Sequence, residues 1–138
     1  MTKLVGKKMN AIKNAKILIV DDNELNRLFI KELLEINDFK HVSFVANAKS
    51  AYRAMEKNKP DLIVMDLVMP KIDGISACKT IKQNPDYQHI PIIMATVMPE
   101  LEVMEKAFEA GVDDYVRKPL HNDLELVLRI HKLLAKAI

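Results

Sequence analysis

The chain has 138 residues, 49% of them hydrophobic and 29% charged, with a formal net charge of +2. That is the composition of one ordinary globular domain, long enough to bury a core without staples. No apolar run approaches the roughly 20 residues a membrane span needs, and the single cysteine, Cys78, excludes an internal disulfide and suits a reducing cytoplasm.

Residues 1–16 carry Lys3, Lys7, Lys8, Lys13 and Lys16 and no acid, a local charge of +5 that leaves −3 for residues 17–138. The opening residues lack an apolar stretch of signal-peptide length. A basic leader could touch nucleic acid or acidic lipid, but such ends are more often solvated. Residues 1–15 are therefore expected as a partly disordered leader before one domain at 16–138, with neither membrane nor direct nucleic-acid binding.

Residues 17–20 are apolar and β-branched, too short for a helix and followed by acids, which predicts a buried strand. Leu25, Phe29, Leu33 and Ile36 then recur at helical spacing. Residues 41–46 form a weaker strand, and Ala51, Ala54 and Met55 face a helix that Pro60 ends. Residues 62–66 make the third strand, and residues 69–74 a loop with Pro70 and Asp73-Gly74 as turn chemistry. Ile75, Cys78 and Ile81 mark a third helix, residues 91–96 a fourth strand, and Leu101, Met104 and Phe108 a fourth helix stopped by Gly111. Residues 115–118 are the fifth strand and a fifth helix runs from Asn122.

Five strands alternating with five helices predict an α/β fold, a doubly wound five-stranded parallel sheet with helices on both faces. Right-handed crossovers bring every strand's carboxyl end to one edge, where such sheets bind ligands. Asp21, Asp22, Asp66, Thr96 and Lys118 all fall on that edge. Singly each has a bland reading, such as a helix cap for Asp21 or a turn for Lys118-Pro119. Five at matching strand ends describe a site. Clustered carboxylates ask for compensating charge, which Lys118 and a Mg²⁺ ion (or Mn²⁺) would supply. Asp66 is then placed as a nucleophile that forms an aspartyl phosphate, with Thr96 donating to a phosphoryl oxygen.

Asp21-Asp22, Asp66 followed by Met69-Pro70 and Asp73-Gly74, Thr96, and Lys118-Pro119 together resemble the signature of two-component response-regulator receiver domains, over about residues 16–137. The resemblance implies a flavodoxin-like sheet of strand order 2-1-3-4-5 and a phosphorylation-activated switch rather than an enzyme acting on outside substrates. It implies Asp66 as phosphoacceptor, Asp22, Asp66 and the Val68 carbonyl as metal ligands with Asp21 in support, Lys118 at the phosphoryl group, and a cis bond before Pro119. Thr96 and Tyr115 match the switch pair. The implied phosphodonor is a sensor histidine kinase or a histidine phosphotransfer protein, and the implied location is cytoplasmic.

Val68, Met98 and Leu120, with Val97 beside them, make an apolar rim that cannot orient water, so a long-lived acyl phosphate is expected. Met65, Met94 and Met104 read as core filler, and Cys78 as inert. His41, His89, His121 and His131 lack metal-ligand spacing. In the last helix Glu125, Arg129, Lys132 and Lys136 form a narrow polar stripe. Leu124, Val127, Leu128, His131, Leu134 and Ile138 are expected to face the sheet. Leu126, Ile130, Leu133 and Ala137 are left as an uncovered apolar stripe, to be buried by a homodimer through the fourth helix, fifth strand and fifth helix, by an output domain, or by the leader. An aspartyl-phosphate phosphohydrolase is the alternative, but Val68 stands where its second acid would be. A flavin binder is disfavoured because Asp21-Asp22-Asn23-Glu24 would repel phosphate.

Overall fold

The computed structural model describes residues 3–69, 72–97, 100–118 and 123–137. Strands β1 (Lys16–Val20), β2 (His41–Val45), β3 (Leu62–Asp66), β4 (Ile92–Thr96) and β5 (Asp114–Arg117) alternate with helices α1 (Lys3–Lys13), α2 (Glu24–Ile36), α3 (Ala48–Lys57), α4 (Gly74–Gln83), α5 (Leu101–Glu109) and α6 (Asp123–Ala137). All strand pairings are parallel, in the order β2-β1-β3-β4-β5. This is the doubly wound sheet that the strand and helix pattern predicts.

Strand side chains alternate between the two faces, so β1 sends Leu18 and Val20 one way and Ile17 and Ile19 the other. The first pair packs with Ala51 and Met55 of α3, Cys78 and Ile81 of α4, and Met104 of α5. The second packs with Ile30 and Leu34 of α2 and with Leu126, Ile130 and Leu134 of α6. Both faces are buried, which is why β3 and β4 read as unbroken apolar runs.

Three expectations change. The basic leader is helical over Lys3–Lys13 rather than disordered, because Ile12 and Ala15 bury against the α2 and α6 side of the core. The Lys40 amide donates to the Lys13 carbonyl at 3.0 Å, and Lys13 lies 3.7 Å from Asp38, so the end of α1 is tied to the α2–β2 turn. In α2 the buried face is Ile30, Leu33 and Leu34, while Leu25, Phe29 and Ile36 are exposed.

The third change concerns α6. Leu126 and Ile130 are fully buried, whereas Leu124 and Leu128 are 56% and 64% exposed. Packing selects the face: Leu126, Val127, Ile130 and Leu134 are the residues buried against the sheet. Arg129 accompanies that phase by reaching Asp114 on β5 at 2.7 Å and Glu125 at 3.2 Å. Of the stripe expected to be uncovered, Leu126 and Ile130 are core and Leu133 is partly buried, while Ala137 is exposed; Val127 and Leu134 are buried as expected.

Candidate functional site

Register places the polar residues together. Val20 pairs with Met65 and Asp66 with Ala95, so Asp21, Asp66 and Thr96 leave three adjacent strands at one edge. The Lys118 amide donates to the Thr96 carbonyl at 2.7 Å, which brings the end of β5 to the same level. One carboxylate oxygen from each of Asp21, Asp22 and Asp66 lies within 4.8 Å of the others. Asp21 and Thr96 are buried, Asp66 is nearly so, and Asp22 is open to solvent.

Lys118 is the cation among them. Its Nζ is 2.6 Å from Asp21 Oδ2 and 3.3 Å from Asp66 Oδ1. The other Asp21 oxygen accepts from the Asn23 amide at 2.9 Å, and Asn23 itself caps α2 by accepting from the Asn26 amide. Asp73 caps α4 in the same way, accepting from the Ser76 amide at 2.8 Å. Both acidic loops are thus fixed at the start of a helix.

Burial holds the Asp66 carboxyl above its ordinary value of 3.8; Lys118 opposes that rise and Asp21 adds to it. One ammonium faces three carboxylates, and the donors are all oxygen. Such a set fits a hard divalent cation and not a thiolate- or imidazole-seeking one.

Val68 follows two residues after Asp66, its amide 3.4 Å from Asp66 Oδ1 and its side chain 58% exposed; Val97 is equally exposed beside Thr96. Tyr115 pairs with Met94, so it lies on the same sheet face as Thr96, half-buried with its ring edge-on to Phe108 at 6.2 Å. Met98, Pro119 and Leu120 lie outside the described residues, so the rim and the cis bond are not described beyond Val68 and Val97.

Two contributors escaped the sequence reading. Gly74 donates to the Leu67 carbonyl at 2.8 Å, and a Cβ there would overlap the Asp66 carbonyl oxygen. Its place after Asp73 was readable as turn chemistry, but not the close approach to Asp66. The second is Arg27, whose Nη1 donates to the Asp21 carbonyl at 2.8 Å. No spacing rule announces an arginine that serves a backbone carbonyl.

The response regulator receiver domain model matches residues 17–131. The chain belongs to that family. The receiver is 38% identical over 108 residues to the chemotaxis protein CheY of Bacillus subtilis, covering 78% of this chain and 88% of that one. It is 31% identical to the phosphate regulon transcriptional regulatory protein PhoB of Rhizobium meliloti, covering 88% of this chain but only 53% of that protein. The receiver domain of the sensor histidine kinase PA1611 from Pseudomonas aeruginosa, solved with a magnesium ion coordinated in its active site cleft, superposes with a TM-score of 0.79 at 30% identity, covering 88% of this chain and 98% of that one. The family establishes a receiver domain of two-component signalling. Among the described residues, no helix is long and apolar enough to cross a membrane.

Proposed function

We propose that this receiver is a cytoplasmic phosphorylation switch in which Asp66 accepts a phosphoryl group from a phosphohistidine of a sensor histidine kinase or histidine phosphotransfer protein. The observation that carries the reading is the buried Asp66 carboxylate held 3.3 Å from Lys118 beside two further acids. Asp22, Asp66 and the Val68 carbonyl would hold Mg²⁺, with Asp21 in support. When bound, Mg²⁺ supplies the positive charge that lets the donor's phosphoryl oxygens approach an acidic edge.

An Asp66 oxygen attacks phosphorus, the phosphorus–nitrogen bond of the donor breaks, and its electron pair stays on the departing imidazole. Lys118 neutralises charge on the transferring group, and the Thr96 hydroxyl donates to one of its oxygens. Asp66 must be ionised to attack; burial works against that form, and Lys118 together with a bound cation would favour it. Thr96 and Tyr115 then form the switch, on the sheet face that α5 covers. We include a homodimer through α5, β5 and α6. Its support is now the exposed Leu101 and Phe108 on α5 with Leu124 and Leu128 on α6, not the buried Leu126 and Ile130.

A small acyl- or amidophosphate donor with Mg²⁺ is expected to add one acid-stable, base-labile phosphoryl group, read by intact mass. Asp66→Ala should abolish it. Full labelling of Asp66→Ala would overturn the assignment.

A further inference from the structure

Arg27 sits on the first turn of α2, beside the acidic edge, yet among the described residues it makes no ion pair with a carboxylate. Its Nη1 donates instead to the Asp21 backbone carbonyl at 2.8 Å, and its guanidinium carbon lies 5.7 Å from the centre of the Phe44 ring on β2. Among the described residues its Nε is buried without a hydrogen-bond partner. A guanidinium partly removed from water, with one donor unsatisfied, is unfavourable by itself and asks for a reason.

The reason lies in what it grips. The Asp21 amide donates to the Val45 carbonyl at 3.1 Å, so that end of the residue is fixed by β2. The Asp21 carbonyl belongs to the peptide plane that it shares with the Asp22 amide. That plane sets the direction in which the Asp22 side chain leaves the backbone. Asp22 is the exposed member of the carboxylate trio and, among the described residues, no hydrogen bond or ion pair anchors its side chain, unlike those of Asp21 and Asp66. Fixing the plane is thus the way this fold can aim Asp22. A guanidinium clamped between an aromatic ring and a carbonyl does that without occupying any carboxylate oxygen.

We propose that Arg27, braced by Phe44, is a positioning residue for the divalent-cation site: it orients the Asp21–Asp22 peptide and thereby sets cation affinity. The inference rests on the metal-assisted reading of the edge given above. The positive charge of Arg27 by itself opposes a cation, so a loss of affinity on removing the guanidinium reports lost aim and not lost charge.

The test is Mg²⁺ titration by calorimetry on wild type, Arg27→Met, Arg27→Lys, Phe44→Leu and Asp22→Asn, with melting of each in EDTA. Arg27→Met is expected to bind Mg²⁺ about tenfold more weakly, the scale seen when groups that orient metal ligands are removed. Arg27→Lys should weaken it too, since an ammonium cannot both cover the ring and hold the carbonyl in a plane. Phe44→Leu should move affinity the same way by a smaller factor. With a small phosphodonor, the Arg27→Met labelling rate should return to that of wild type at saturating Mg²⁺, because aim and not chemistry is lost. Wild-type affinity in Arg27→Met, with or without a lower melting temperature, would reduce the residue to a helix–strand staple and overturn the proposal. So would wild-type affinity in Arg27→Lys, which would show that the planar guanidinium does not aim the peptide. If Arg27→Met does not fold, Phe44→Leu decides: unchanged affinity there is the refuting result. Equal binding by wild type and Asp22→Asn would instead remove the metal-assisted reading itself.

Discussion

Lys118→Met removes the one ammonium among three carboxylates while keeping most of the side chain's bulk. Lys118 and Asp21 are 10% and 2% exposed at their side chains and 2.6 Å apart, and Asp66 is 11% exposed at 3.3 Å, so this is a buried ion cluster and not a surface pair. Taking one partner from a buried pair costs about 3–5 kcal/mol, because the remaining charge is left unbalanced in a poorly solvated place. For a chain of this length that is a fall in melting temperature of about 10–20 °C. The loss should be seen in EDTA at neutral pH and should shrink as pH falls, since Asp66, already raised by burial, takes up a proton that relieves the imbalance. Mg²⁺ should narrow the gap, because the variant offers the cation an acidic pocket with no competing ammonium; a ligand 100-fold above its Kd stabilises by about 2.7 kcal/mol. Melting curves in EDTA and across a Mg²⁺ series decide the matter. A variant as stable as wild type without metal, or one that binds Mg²⁺ more weakly, would refute the charge balance argued for this edge.

Asp66→Asn should melt above wild type in EDTA at neutral pH: a raised carboxyl pKa means that folding loses stability as pH climbs from 3.8 through the folded value, and the amide escapes that loss. The difference should vanish in acid. Ile130→Ala should lower stability by about 2–5 kcal/mol as a core truncation, whereas Leu128→Ala should change it by less than about 0.5 kcal/mol; urea unfolding of the pair checks the rotation of α6. Burial, reinforced by Lys13, holds His131 below its ordinary 6.5, so the unfolded chain takes up a proton that the folded one resists. Stability should decline as pH drops below about 6.5, and less steeply in His131→Gln, as urea midpoints across the range will read.

The topology was legible because each strand is a short β-branched run stopped by a polar residue, a pattern that helices of this chain do not share. The site was legible for the same reason, since the stops are the site. Helix phase was not. Helix α2 carries seven apolar residues, Leu25, Leu28, Phe29, Ile30, Leu33, Leu34 and Ile36, enough for more than one stripe, and only the sheet's position selects Ile30, Leu33 and Leu34. Helix α6 likewise carries more apolar residues than one face needs, and packing against the sheet selects Leu126, Val127, Ile130 and Leu134. Helix α1 is anchored by Ile12 and Ala15 against residues far along the chain, which no local pattern signals.

The acidic edge is held by backbone more than by side chains. Asn23 and Asp73 cap α2 and α4 directly after the strands that deliver Asp21 and Asp66, Gly74 packs against the Asp66 carbonyl, and Arg27 grips that of Asp21. Carboxylates crowded within 4.8 Å would otherwise drift apart on flexible loops, since water offers each a cheaper solvation than its neighbours do. Fixing their backbones keeps the repulsion in place until a cation relieves it. On the proposed reading the relief is passed to Thr96 and Lys118, joined by the hydrogen bond from the Lys118 amide to the Thr96 carbonyl, and α5 beyond Thr96 opens at Glu100 without a side-chain cap. Because Tyr115 is paired with Met94 of β4 and its ring meets Phe108 of α5, the charge change proposed at Asp66 would have a short route to the exposed α5 surface.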